Sequence, residues 1–275
     1  MVFQHFLYLK MLEQYANNII LNSIEENKDK LDNSKISVIH PEISIKYSSI
    51  NVFLGKQGTG KTFTLYKELL KLSMIDSNVH LIIIATKDNR KDVTFELFRD
   101  KIDIPLITVS YENIIEFINN IIFYKLIYEY IISENLMDKI EDEQKNEVLT
   151  FLHLDNFEKS SLQEVIIFDD AAYQEIITKK PDIINIIHQV RHYKLIFCFC
   201  VQGIKAIPLP IKEQMTTLFI FPGFINQKLT TIFQQSGITE LEYEEFKQIY
   251  RNLNNRDYII VNCQTGNIDI IDGKI

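Results

Sequence analysis

Cysteine, arginine, glycine and long apolar runs are all scarce in this 275-residue chain, and each scarcity removes a class of protein. The three cysteines, Cys198, Cys200 and Cys263, suit a reducing compartment and lack the spacing with histidine that a zinc site needs. Cys198 and Cys200 stand inside an apolar run, where they read as small buried hydrophobes. With 29 Lys and Arg against 37 Asp and Glu, the formal net charge is −8 and the pI about 5.3. That balance excludes a protein that coats nucleic acid over its whole surface, while leaving room for a local basic track. The most membrane-like stretch, "NIIEFINNIIFYKLIYEYIIS" (residues 113–133), is broken by Glu116, Asn119, Asn120, Lys125 and Glu129. It reads as a largely buried helix of a soluble protein, and no membrane association is expected. The start, "MVFQHFLYLKMLEQY", has no basic run ahead of its apolar residues and no small-residue cleavage site, so a cytoplasmic protein is expected.

What is present is a folded composition, 46% hydrophobic and 24% charged, enough for one large domain with appendages. Residues 1–22 have helical apolar spacing, "NSIEENKDKLDNSK" reads as a loop, and "ISVIH" and "ISIKY" alternate like short half-buried strands. We therefore set an N-terminal appendage at 1–46 and the main domain at 47–275. From residue 50 onward, short unalternated apolar runs ("INVFL", "HLIIIA", "PLITV", "EVIIF", "LIFCFCV", "TTLFIF") are separated by helical segments. Such runs are strands buried on both faces, and their spacing implies βαβ crossovers, an α/β fold and a mostly parallel sheet. Ligands of these sheets sit at the carboxyl ends of the strands. The region of about 111–163 reads as a helical, then acidic and solvated, excursion over one sheet edge. An extension of about 223–275 carries two helical patterns and a β-hairpin around Gln264, Thr265 and Gly266.

Of only eight glycines, Gly55, Gly58 and Gly60 fall within six positions. Gly55 to Thr62, "GKQGTGKT", matches G-x-x-x-x-G-K-[ST] between a predicted strand and a predicted helix. About 0.002 accidental matches are expected from this chain's own residue frequencies. Glycines let the backbone of Gly55, Lys56, Gln57, Gly58, Thr59, Gly60, Lys61, Thr62 and Phe63 fold into a nest of N–H groups at a helix start, which cradles the phosphates of a nucleotide such as ATP. Lys61 would reach the β- and γ-phosphates, and the Thr62 hydroxyl would ligate Mg²⁺.

"EVIIFDD" (164–170) ends an apolar strand in two carboxylates, so that Asp169 would hold Mg²⁺ and Asp170 orient the attacking water. "RHYKLIFCFCVQ" (191–202) places Arg191 and His192 before a strand and Gln202 at its end, where Gln202 would face the γ-phosphate if this strand lies between the other two. His192 is expected to pack at the strand's start. Each segment alone has an ordinary alternative: two solvated carboxylates at a turn, a polar strand end, a surface cation.

Together, "GKQGTGKT", "IIFDD" and "RHYKLIFCFCVQ" followed by "IPLP" and "LFIF", over roughly residues 50–222, resemble the DNA-packaging ATPases of large DNA viruses and virophages. That family, which includes the poxvirus packaging ATPase, lies in the FtsK–HerA superfamily of P-loop NTPases. The resemblance implies a RecA-like core of strand order 5-1-4-3-2. It implies a ring-shaped homo-oligomer, pentamer or hexamer, that uses ATP and Mg²⁺ to move double-stranded DNA into a capsid. Capsid proteins would be partners, and the host cytoplasm (viral factory) or the virion the location. By position, Lys61, Asp170, Arg191 and Gln202 become catalytic, with Arg191 a finger acting in a neighbouring subunit, and Thr62 and Asp169 hold the metal. Two alternatives remain: a nucleotide-binding assembly or scaffold protein without turnover, and a nucleotide kinase, for whose arginine-rich lid the five scattered arginines offer little. Lys179, Lys180, Lys205 and Lys212 are either surface lysines or a pore-lining track.

Overall fold

The unalternated apolar runs form the centre of a single sheet. A computed structural model describes residues 44–45, 47–75, 78–86, 99, 101–169 and 181–272. Its strands are β1 (Ile50–Leu54), β2 (Val79–Thr86), β3 (Leu106–Ser110), β4 (Gln163–Phe168), β5 (Leu195–Val201), β6 (Thr217–Ile220), β7 (Tyr258–Asn262) and β8 (Ile268–Ile271). They lie in the order β3-β2-β4-β5-β1-β6-β7-β8. Every residue of β1, β4 and β5 is buried, as expected for strands covered on both faces.

The stretch β6-β1-β5-β4-β2 is the expected 5-1-4-3-2 order, with all its pairings parallel. The full sheet is longer than that order. β3 adds a parallel edge beyond β2, and β7 and β8 extend the other side antiparallel. The β7–β8 hairpin turns through the expected Gln264–Gly266 segment, where Gly266 sits at φ +80°.

The helices are α1 (Lys61–Ile75), α2 (Ile114–Ser133), α3 (Asp142–Phe151), α4 (Pro181–His188), α5 (Leu209–Gln214), α6 (Asn226–Ser236) and α7 (Tyr243–Arg251). Alternate strand residues divide between two cores. Phe53, Ile82, Val165, Ile167, Cys198 and Cys200 face Leu65, Tyr66, Leu69 and Leu72 of α1. Ile83, Ile166, Phe168, Phe197 and Phe199 face the opposite way, toward α2.

The burial expected of residues 113–133 is found in this second core, which makes the helical part of 111–163 a layer of the domain and not an excursion over one sheet edge. Ile114, Ile115, Ile118, Ile121, Ile122, Tyr128 and Ile131 of α2 are buried, so α2 is a layer of the domain. At about 1.5–3 kcal/mol for each large apolar side chain, burying that face outweighs exposing a solvated helix. Only its outer side, with Phe123 and Tyr130, is exposed.

The helix expected over 1–22 and the strand "ISVIH" fall outside the described residues. Of "ISIKY", Ser44, Ile45 and Tyr47 lie in bends and turns instead of a strand. The Ser44 N–H donates to the buried Glu68 carboxylate of α1 at 2.9 Å, so that the chain enters the domain beside α1. No helix among the described residues is long and apolar enough to cross a membrane.

Candidate active site

Strand β1 delivers the chain into the glycine loop at the carboxyl end of the sheet. Gly55 donates its N–H to the Val201 carbonyl of β5 at 3.0 Å, and a Cβ there would sit 2.7 Å from the Phe221 Cβ. The loop therefore begins where only glycine fits between neighbouring strands. Gly58 and Gly60 adopt φ of +76° and +92°, the left-handed geometry that turns successive N–H groups inward before α1 starts at Lys61. The Lys56 carbonyl staples the loop. It accepts from the Thr59 hydroxyl and the Lys61 ammonium, each at 2.8 Å. Lys56, Gln57 and Gly58 are exposed, and Phe63 packs partly against the α1 core.

β4 brings Asp169 to this loop. The Thr62 hydroxyl donates to Asp169 Oδ1 at 3.4 Å across 107 residues of sequence. A hydroxyl and a carboxylate at that separation are hard oxygen donors suited to Mg²⁺, which they would hold together with phosphate oxygens and water. β5 lies between β1 and β4, as the argument for Gln202 requires. Gln202 is exposed at the end of β5, next to the Val201 carbonyl that receives the Gly55 N–H. Asp170 lies outside the described residues, as do Lys179 and Lys180.

Arg191 is not brought to this cluster. It is exposed at the opposite end of β5, seven strand residues from Gln202, which at about 3.3 Å per residue is more than about 20 Å. Its own chain therefore cannot place it on a phosphate held by the loop. The turn it sits on is anchored: Lys125 of α2 donates to the Tyr193 carbonyl at 2.8 Å, and Lys194 pairs with Glu129 of α2 at 2.7 Å. The expectation that His192 packs at the strand's start is corrected, since its ring is exposed and makes an edge contact with Tyr193 alone among the described aromatic pairs.

Two groups near Asp169 carry no sequence motif. Cys200 stands opposite it, one step beyond the Phe168↔Phe199 pair. Full burial, reinforced by the Asp169 charge, pushes the Cys200 thiol well up, so it stays protonated beside the acid. The Tyr111 hydroxyl donates to the Asp169 main-chain carbonyl at 2.6 Å. Beyond β6, the Tyr250 hydroxyl accepts from the Phe224 N–H at 2.8 Å and donates to the Phe221 carbonyl at 2.9 Å. Burial moves that phenol up to about 12. This clamp fixes the segment that carries Phe221 against Gly55.

With this geometry in hand, the relatives are structural. No family model and no curated protein sequence matches the chain. The DNA-packaging ATPase B204 from Sulfolobus turreted icosahedral virus superposes with a TM-score of 0.51 at 13% identity, over 83% of this chain and 98% of that one. The chain shares the fold of a viral genome-packaging ATPase.

B204 from Sulfolobus turreted icosahedral virus 2 superposes with ATPγS bound (TM-score 0.50, 14% identity, 83% of this chain and 98% of that chain). It does so with AMP bound as well (0.51, 14%, 86% and 100%). These likenesses place the chain in the P-loop NTPase fold.

Proposed function

We propose that the chain is a Mg²⁺-dependent ATPase that, as a ring of identical subunits, moves double-stranded viral DNA into a capsid. The observation that carries this reading is the meeting of Thr62 and Asp169 at 3.4 Å beneath an amide-lined glycine loop. A passive turn has no reason to bring a buried strand's terminal acid to the helix-start hydroxyl.

In this reading the loop amides bind the phosphates, and Lys61 exchanges the Lys56 carbonyl for a β- or γ-phosphate oxygen. Bound between Thr62, Asp169 and the phosphates, Mg²⁺ would neutralise the charge that builds on the phosphate oxygens. Asp170 takes the proton of the attacking water. The water oxygen bonds to the γ-phosphorus as the bond to the bridging oxygen breaks, leaving ADP and phosphate. Gln202, on the strand between the two motifs, senses whether the γ-phosphate is present.

The distance of Arg191 from its own loop favours an action in the neighbouring subunit. DNA would contact Lys205 and Lys212, on the connections after β5, and each subunit of a ring adds its cations to one channel. The description of B204 as a DNA-packaging ATPase supports the cargo; capsid partners and a place in the host cytoplasm or the virion belong to the same proposal.

Phosphate release measured with and without long duplex DNA, with molecular mass followed in the same sample, tests the motor. The rate is expected to rise with DNA and the rise to fade as salt increases. Equal rates at every salt concentration count against translocation. A second expectation concerns the shared site. Arg191→Ala should bind ATP and hydrolyse it roughly 10³ to 10⁵ times more slowly. Mixing it with Lys61→Ala subunits should restore part of the rate, and absence of recovery argues that no residue is shared.

A further inference from the structure

We propose that Tyr111 is a positioning residue for the acid at the end of β4: its hydroxyl fixes the main chain at Asp169 and so aims the carboxylate that faces Thr62. The inference rests on the reading above, which gives Asp169 a cation to hold.

Asp169 is the first residue past the registered pairs on both sides, Ala85↔Phe168 with β2 and Phe168↔Phe199 with β5. Beyond a ladder's end, the peptide plane is set by whatever hydrogen bonds its carbonyl accepts, and rotating that plane swings the side chain. The Tyr111 hydroxyl takes this carbonyl at 2.6 Å. Tyr111 is itself held: it is 9% exposed, its ring lies in the α2-side core, and its N–H donates to the Thr86 carbonyl, the last residue of β2, at 3.0 Å.

The edge strand β3, absent from the five-strand order, thus has a use. It carries a phenol across the end of β2 to the site. Asp169 is then held from two directions, with Thr62 on the side chain and Tyr111 on the backbone. Displacing a reacting geometry by about 1 Å can cost on the order of a hundredfold in rate, so a partial loosening should be visible.

The test is Tyr111→Phe, which keeps the ring and removes the hydroxyl. The control is Tyr128→Phe, which removes another buried hydroxyl of the α2 layer, bonded to the Lys159 carbonyl at 3.0 Å and away from the site. Affinity for a fluorescent ATP analogue is measured in EDTA and through a Mg²⁺ titration, and phosphate release through the same titration. Tyr111→Phe is expected to match wild type in EDTA within about twofold, to need several-fold more Mg²⁺ for its half-maximal effect on affinity, and to turn over about tenfold more slowly. Tyr128→Phe is expected to change neither Mg²⁺ response.

A Tyr111→Phe variant with the wild-type Mg²⁺ midpoint overturns the proposal, as does an equal shift in Tyr128→Phe. If the wild-type chain releases no phosphate, the hydrolytic reading fails and the Mg²⁺ midpoint for affinity still decides Tyr111. Wild-type binding that is indifferent to Mg²⁺ overturns both.

Discussion

Asp169→Asn is expected to keep nucleotide affinity within a few-fold of wild type while lowering turnover by about a hundredfold or more. The substitution preserves shape and one acceptor oxygen, so the loop and its amides are untouched. It removes the negative charge that faces Thr62 Oγ1 and replaces an acceptor by a donor that repels a cation. In the proposed site, binding would depend chiefly on the loop amides and Lys61, whereas the charge on Asp169 would matter most where phosphate charge redistributes. Lys61→Ala should behave differently, losing affinity as well as rate. Fluorescent nucleotide binding and phosphate release on one preparation separate the two effects. An asparagine variant with turnover within threefold of wild type would reduce Asp169 to an ordinary strand end.

Lys125→Met is expected to destabilise the fold by about 3–5 kcal/mol, and Lys125→Met with Glu164→Leu to recover most of that loss. Lys125 projects from α2 to Glu164 on β4 at 2.6 Å, with the two residues 3% and 0% exposed. Removing the ammonium strands a carboxylate in an apolar layer. His80 Nε2, 3.5 Å from the other Glu164 oxygen, is no substitute. In the intact chain, burial, ahead of the Lys125 charge, holds His80 at about 3, and the burial remains after the substitution, so its imidazole stays a poor cation.

Burial also pushes the Glu164 carboxyl up, and Lys125 pulls it back. Without Lys125 the folded-state value rises further. The folded chain then binds a proton that the unfolded chain, with its ordinary value of 4.5, does not. The deficit of the single variant is therefore largest at neutral and alkaline pH and shrinks as pH falls toward 4.5. Urea unfolding at pH 8 and pH 5 reads this directly, and a pH-independent deficit would mean that lost packing, not stranded charge, is the cause. The same lysine holds the Tyr193 carbonyl, so the variant also loosens the turn that carries Arg191.

The glycine loop was legible from residues 55–62 because its geometry is local: consecutive backbone amides, two left-handed glycines and a helix start need only neighbouring residues. The strands were legible because burial on both faces leaves unalternated apolar runs, whereas the place of β5 between β1 and β4 came from the sheet itself. The role of α2 was harder to read. Its many isoleucines signalled burial and its polar interruptions excluded a membrane span, but no local pattern told that Lys125 points inward to a charge on a strand 39 residues away.

Sequence by itself determined that a glycine-rich bend precedes a helix, that apolar strands alternate with helices, and that Asp169 follows one strand, since each is encoded within a few consecutive residues. Tertiary structure alone decided that Asp169 meets Thr62 and that Tyr111 holds its main-chain carbonyl. It also decided that Arg191 lies at the far end of the sheet and that Lys125 neutralises Glu164. These are contacts between strands and helices distant along the chain, and the side chains that make them belong to types whose ordinary place is an apolar core or a solvated surface. Only the register and direction of the parallel strands bring them together.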